Sequence, residues 1–183
     1  MSTAELPKEL KETHNSLWHA CSSMEHAQLA LNVNGKWSAL QHLQHVHKGI
    51  AAISDYLKLD RKTIESTFGT VSHVSRTYDG VLHLYTNRLR EGAVSTPRFN
   101  PAASEDIALH LELETGRRTL DALITSISEW TDSDLDQYAC PHPNLGMLTA
   151  REMLFFAVIH AIHHTRAIHS LTRTLTHGTF LLP

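Results

Sequence analysis

Apolar side chains recur every three or four residues along most of the chain, which is the periodicity of amphipathic α-helices. In the clearest stretch, from Leu40 to Leu57, successive apolar residues are three, three, four, three and four positions apart. Such a seam is typical of a helix in a bundle. Few stretches alternate between apolar and polar residues, so the pattern predicts an all-α protein with little sheet.

Four long helical segments follow from this periodicity, and they run approximately over residues 7–31, 38–57, 104–127 and 149–175. Ser38 and Ser104 are suitable N-caps, and Thr149 and Glu152 have the spacing of a capping box. Gly116 is a weak point within the third helix. Four long helices with one long connection predict a single four-helix bundle domain over residues 1–183.

The long connection covers residues 60–103 and shows no sustained periodicity, so it is predicted to be an irregular crossover. Within it, residues 81–89 are predicted as a short helix, and residues 97–101 are predicted to be extended because a proline stands at each end. A crossover of this length in a bundle usually covers one end of it or a pocket.

Composition and charge exclude several classes of function. The 183 residues include 16 Lys and Arg and 19 Asp and Glu, a formal net charge of −3 that argues against a nucleic-acid partner. No apolar run approaches the roughly 20 residues of a membrane span, and the first residues lack the pattern of a signal peptide. The two cysteines, Cys21 and Cys140, suit free buried thiols, so a cytoplasmic protein is predicted.

Histidine is unusually frequent, at 15 of the 183 residues. His160 and His164 lie one helical turn apart, so both rings project from one face and suit one metal ion. About one such pair is expected by chance at this histidine content, so the spacing alone decides nothing. The other residues on this face of the helix are apolar or small, so both imidazoles are expected to be buried. A buried imidazole without a hydrogen-bond partner destabilises the fold by about 1–3 kcal/mol. A metal ion explains the pair, and a hydrogen-bonded core pair is the alternative.

The second helix offers a third ligand. His45 lies beside the apolar seam, and His42 and His47 compete with it on the residues alone. Two ligands from one helix and a third from another leave a coordination position open, as in catalytic zinc sites. Ligation by nitrogen alone suits zinc, nickel or iron and disfavours magnesium and calcium.

Other residues carry less information about function. His142 stands in a loop that leads into the fourth helix, where loops often line sites. The histidines without a surrounding constellation are expected on the surface or in satisfied core positions; they are His14, His19, His26, His73, His83, His110, His169 and His177. No phosphate-binding glycine loop, nucleophile elbow or HExxH motif occurs.

Three motifs in this order resemble the signature of the DinB/YfiT-like superfamily. They are KWSALQHLQHV at residues 36–46, HPNLGMLTARE at 142–152 and HAIHHTRAI at 160–168. In that family the second helix is preceded by a tryptophan and the ligand histidine follows eight residues later, which selects His45. The first and last histidines of the third motif, His160 and His164, are ligands in the family.

The resemblance implies an up-down-down-up four-helix bundle, commonly a homodimer, with a three-histidine metal site open to water or substrate. Family activities include thiol-dependent transferases and isomerases, and many members are described as metal-dependent hydrolases. Where the family often has glutamine after the last ligand, this chain has a Thr-Arg-Ala stretch. Its Arg166 would either receive an anionic substrate or form a surface pair.

Together the residues and the resemblance predict a metalloenzyme in which His45, His160 and His164 hold zinc or nickel, or iron. The metal would activate water for the hydrolysis of a small-molecule substrate, or a low-molecular-weight thiol for transfer to such a substrate. His142 and His163 are the candidate general bases. The alternatives are a non-catalytic metal- or ligand-binding bundle in stress response and a purely structural dimerisation module.

Overall fold

The computed structural model describes residues 1–177 except the side chain of His177, so the placement expected for His177 lies outside the description. Its elements are α1 (Leu6–Ser22), α2 (His26–Leu29), α3 (Ala39–Leu57), α4 (Arg61–Phe68), α5 (Tyr78–Arg90), α6 (Leu109–Ile127), α7 (Asp132–Gln137), β1 (Ala139–His142), β2 (Gly146–Thr149) and α8 (Ala150–His177). Helix α1 packs against α8, and α3 packs against both α6 and α8. This arrangement confirms the predicted four-helix bundle.

The two helices that carry the candidate ligands start as predicted. The hydroxyl of Ser38 accepts a hydrogen bond from the backbone N–H of Gln41, whose side chain accepts one from the backbone N–H of Ser38. Thr149 and Glu152 form the same reciprocal pair at 3.0 and 3.1 Å, and both are fully buried. Each capping box fixes the first turn of its helix and therefore the direction of the histidines farther along it.

The first helix ends earlier than the predicted Leu31, at Ser22. The backbone N–H and the hydroxyl of Ser23 both donate to the carbonyl of His19, which closes the helix. The chain then bends into the short helix α2, and Met24 and Leu29 are both buried. A continuous helix was predicted because Met24 and Leu29 were assigned to the same inward-facing apolar set as the residues of α1.

The third bundle helix was predicted to start directly after Ser104, but it starts at Leu109. The hydroxyl of Ser104 lies 2.8 Å from that of Ser38 and is engaged in this tertiary hydrogen bond. Residues Ser104–Asp106 form a separate 3-10 turn instead. The hydroxyl that was predicted to cap the helix therefore forms a contact between distant parts of the chain.

The segment 60–103 is more regular than predicted, because it contains α4 and α5. Asp60 and Thr77 cap these helices by accepting hydrogen bonds from the backbone N–H groups of Thr63 and Gly80. The short helix predicted over residues 81–89 is confirmed as part of α5. Both helices are short and half-exposed, so their apolar periodicity is weak.

Two prolines restrict the backbone of the crossover. The residues that precede them, Thr96 and Asn100, are extended as predicted, with ψ angles of 155° and 136°. The intervening Pro97–Phe99 forms a 3-10 turn and corrects the prediction of a continuous extended segment. A proline fixes φ near −65°, which is as compatible with a 3-10 turn as with extended backbone.

An antiparallel hairpin of β1 and β2 precedes α8, with His142 paired to Gly146 at its turn. The sequence pattern does not predict it, because each strand has only four residues. Gly146 adopts a φ of +77°, which favours glycine. Cys21 and Cys140 are free and buried, as predicted. Within residues 1–177, no helix combines the length and the apolarity needed to cross a membrane.

Candidate metal centre

Three buried histidines from two helices converge inside the bundle. His45 comes from α3, and His160 and His164 come from successive turns of α8. The Nε2 atom of His160 lies 3.0 Å from the Nε2 atoms of both His45 and His164. Nitrogen atoms bound to one tetrahedral zinc ion lie about 3.3 Å apart. The three rings thus direct one nitrogen each toward a common point, and the cluster could hold a metal ion.

Contacts on the far side of two of these rings orient them. The Nδ1 atom of His45 donates to the backbone carbonyl of Phe99 at 2.8 Å. The Nδ1 atom of His164 lies 2.8 Å from the Nδ1 atom of His42. A histidine that donates its Nδ1–H to such a partner leaves the Nε2 lone pair free for a metal ion. The donor set and its surroundings therefore fit a bound metal.

The structure separates the three histidines that competed on α3. His45 faces α8, whereas His42 reaches the cluster through the Nδ1 atom of His164, which points away from the other two ligands. His47 points to the other side of the helix, where its Nε2 accepts a hydrogen bond from the Trp18 indole at 2.9 Å and its Nδ1 donates to the Glu112 carboxylate at 2.6 Å. Of the three, His45 is the one that joins the cluster.

Burial keeps the candidate ligands neutral. Desolvation lowers the pKa of His45, and it lowers the pKa values of His160 and His164 well below the usual value, with neighbouring imidazoles adding to the effect. A neutral imidazole is the form that binds a metal. The cluster is therefore ready to bind a cation at neutral pH without first losing protons.

A cavity of about 720 Å³ lies beside the cluster, and all three candidate ligands line it. Its walls are largely apolar and include the rings of Trp37, Tyr56, Phe68, Tyr85, Phe99 and Phe156. The charged side chains in its lining are Asp55 and Arg98, both exposed at the rim. The volume is within the usual range for sites that bind small organic molecules.

The two candidate general bases both line this cavity. His142 lies at the hairpin turn, where its Nδ1 accepts hydrogen bonds from the backbone N–H groups of Asn144 and Leu145. His163 lies on α8, with its ring 4.9 Å from that of His164. Arg166, in contrast, lines a separate groove with Glu9 and Glu12, so the structure places it with surface acids and away from the cavity.

Side chains of α3 hold the crossover by its backbone. Besides the bond from His45 to Phe99, the ammonium group of Lys48 donates to the carbonyl of Asn100 at 2.6 Å. The side chain of Gln44 accepts from the backbone N–H of Ala102 at 2.7 Å. Sequence reasoning missed these contacts because no residue pattern marks a backbone group as a tertiary hydrogen-bond partner, although the length of the crossover did indicate that it covers one end of the bundle or a pocket.

His14 departs from the placement expected for the unassigned histidines. It is fully buried, its Nδ1 donates to the carbonyl of Leu10, and its Nε2 has no partner. Burial lowers its pKa to about 4. The side chains exposed as expected are His19, His26, His83, His110 and His169. His73 is partly buried beside Glu152.

Comparisons with known proteins agree with this architecture. The family model described as the DinB superfamily matches residues 9–168. A solved structure described as TT2238, a four-helix bundle protein, superposes with a TM-score of 0.57 and 19% sequence identity, covering 92% of this chain and 99% of that chain. At this identity the likeness shows the fold alone. No match was found among the curated proteins.

Proposed function

The chain belongs to the DinB superfamily, and on that premise we propose that it is a metal-dependent enzyme in which His45, His160 and His164 bind one zinc, nickel or iron ion. The observation that carries the proposal is the convergence of three Nε2 atoms at the wall of a large cavity, with the Nε2 atom of His160 3.0 Å from those of His45 and His164. A site that only stabilised the fold would be expected to close its fourth position with another protein ligand.

When bound, the metal would lower the pKa of a coordinated water or low-molecular-weight thiol and so supply a nucleophile for hydrolysis or thiol transfer. The residues of the chain perform the other tasks. The Phe99 carbonyl and His42 hold two of the ligand rings in position. The aromatic walls bind the apolar part of a small-molecule substrate and exclude water from it. His163 lines the cavity, has no hydrogen-bond partner among residues 1–177 and suits a general base.

The first experiment measures the metal content of untagged protein that has never met a nickel column. We expect about one zinc, nickel or iron ion per chain, lost in His164→Ala and kept in His169→Ala, whose histidine is exposed on the same helix. Absence of metal in the wild type, with a melting temperature unchanged by chelator, would refute the proposal.

Activity is tested on the same samples with ester substrates and with electrophilic thiol acceptors. We expect turnover that depends on the metal and is absent in His164→Ala. Metal binding without turnover across such a panel would favour the alternative, a non-catalytic metal- or ligand-binding bundle. A homodimer and a cytoplasmic location stay predictions, the first of which sedimentation equilibrium would test.

A further inference from the structure

The hairpin turn determines which nitrogen of His142 carries the proton. The Nδ1 atom accepts hydrogen bonds from the backbone N–H groups of Asn144 at 3.2 Å and Leu145 at 3.1 Å. Because two donors point at Nδ1, this atom must present its lone pair, and the proton of the neutral ring lies on Nε2. Burial lowers the pKa of His142 to about 4, so the ring is neutral at pH 7.

The Nε2–H edge of this ring is available to a ligand. His142 lines the cavity, its Nδ1 faces its own turn, and its Nε2 has no hydrogen-bond partner among residues 1–177 and is not sealed from solvent. The ring packs edge-on against Phe156, with centroids 4.4 Å apart, and Phe156 stacks on His160. A fixed N–H donor is thus placed one aromatic ring away from the histidine cluster.

We propose that His142 donates a hydrogen bond from Nε2 to the substrate, and that the cavity takes a mainly apolar molecule with an uncharged acceptor oxygen such as a carbonyl. The charged side chains of the lining, Asp55 and Arg98, lie at the exposed rim, while the inner walls, apart from the histidines, are largely apolar. Beside His142 and away from the histidine cluster, an ionised group would lose its hydration without a charged partner, whereas a carbonyl needs one donor. In this tautomer His142 is not a general base, which leaves His163 for that role. The inference rests on the proposed function only in treating this cavity as the substrate site.

Two substitutions separate the turn from the donor. His142→Asn places a carbonyl oxygen near the position of Nδ1, so it keeps the acceptor for the two backbone N–H groups but does not reach the position of Nε2. His142→Gln reaches the position of Nε2 with its amide N–H but loses the acceptor for the turn. We expect the melting temperature of the wild type in His142→Asn and a lower one in His142→Gln.

The binding test uses equilibrium dialysis with 2-acetylnaphthalene and its hydrocarbon isostere 2-isopropenylnaphthalene. It is made on the full chain as purified and after chelation, so that a ketone bound to metal is distinguished from one bound to His142. We expect the wild type to prefer the ketone by about threefold to tenfold in both states. The preference should vanish in His142→Asn, which still binds the hydrocarbon, and return in His142→Gln.

A ketone preference retained by His142→Asn, or a wild type that binds neither probe, would overturn the proposal. A failure of the proposed metal-dependent function would give a different combination of results. A chain that holds no metal but shows the His142-dependent ketone preference would support this inference and refute the metalloenzyme.

Discussion

The packing of His47 against Gly116 predicts a large effect from the addition of one methyl group. In an exposed helix interior, replacing glycine by alanine stabilises the fold by about 1 kcal/mol. At Gly116 the new methyl would overlap the His47 ring, whose Cδ2 atom would lie 2.8 Å away. The ring is 4% exposed and is bonded to both Trp18 and Glu112, so it cannot move without breaking these bonds.

The expected loss follows from the two hydrogen bonds. A bond between neutral groups contributes about 0.5–1.5 kcal/mol, and a bond to a charged group about 1.5–3 kcal/mol. Mid-range values for the Trp18 and Glu112 contacts give a loss of about 3 kcal/mol, which the helix propensity of alanine offsets by about 1 kcal/mol. The net destabilisation of Gly116→Ala is therefore about 2 kcal/mol, or about 4–8 °C in melting temperature for a chain of this size.

Urea unfolding and thermal scans of four proteins test this reasoning: the wild type, Gly116→Ala, His47→Ala and the double variant. If the clash with His47 is the cause, the alanine at position 116 should destabilise the wild type but stabilise the His47→Ala background by up to about 1 kcal/mol. Metal content should not change, because His45 faces the other side of α3. A Gly116→Ala protein as stable as the wild type would refute the argument.

Three further predictions concern single substitutions. His42→Phe removes the hydrogen-bond partner of the His164 ring and should weaken zinc affinity about 10- to 100-fold with the helix content unchanged. Competition with a chromophoric chelator measures this affinity, and a variant that binds zinc as tightly as the wild type would contradict the prediction. His14 has a pKa of about 4 in the folded protein and about 6.5 in the unfolded chain, so it destabilises the fold as the pH falls below 6.5. In denaturation experiments the stability of His14→Leu relative to the wild type should therefore increase by about 2 kcal/mol between pH 7.5 and pH 5. A difference that does not change with pH would contradict this. Burial raises the pKa of Glu152, but hydrogen bonds from the backbone N–H groups of Arg76 and Thr149 outweigh it and the net shift is downward. Glu152 therefore stabilises the fold at pH values above its unfolded pKa of about 4.3. The loss of stability caused by Glu152→Gln should be fully present at pH 7 and shrink as the pH falls through the pKa of Glu152 in the folded protein. A purely steric effect of the substitution would instead give a loss that does not depend on pH.

The bundle was predictable where local signals and packing agree. The Ser38 cap and the seam after it lie on one helix, and the observed α3 follows both. The pair His160 and His164 was recognisable because four residues make about one turn. His45 was selected over its neighbours by the spacing of the family motif, and the structure supplies the physical reason, since His47 is engaged on the opposite side by Trp18 and Glu112.

Features that depend on distant partners were not predictable. The hydroxyl of Ser104 has a capping signal but bonds to Ser38, 66 residues away in the chain. The carbonyl of Phe99 has no sequence signature, although it orients a candidate ligand. The tautomer of His142 follows from the position of two backbone N–H groups after the hairpin has formed. Each depends on geometry that exists only in the folded chain.

The way α3 holds the crossover has a consequence for how such proteins diverge. His45, Lys48 and Gln44 bind backbone atoms of residues 99–102, and every amino acid offers those carbonyls and, proline excepted, those N–H groups. Mutations in the crossover can therefore replace side chains such as Arg98 at the cavity rim while the ring of His45 keeps its orientation. Selection for new ligands can then act on the crossover separately from selection that preserves the three histidines.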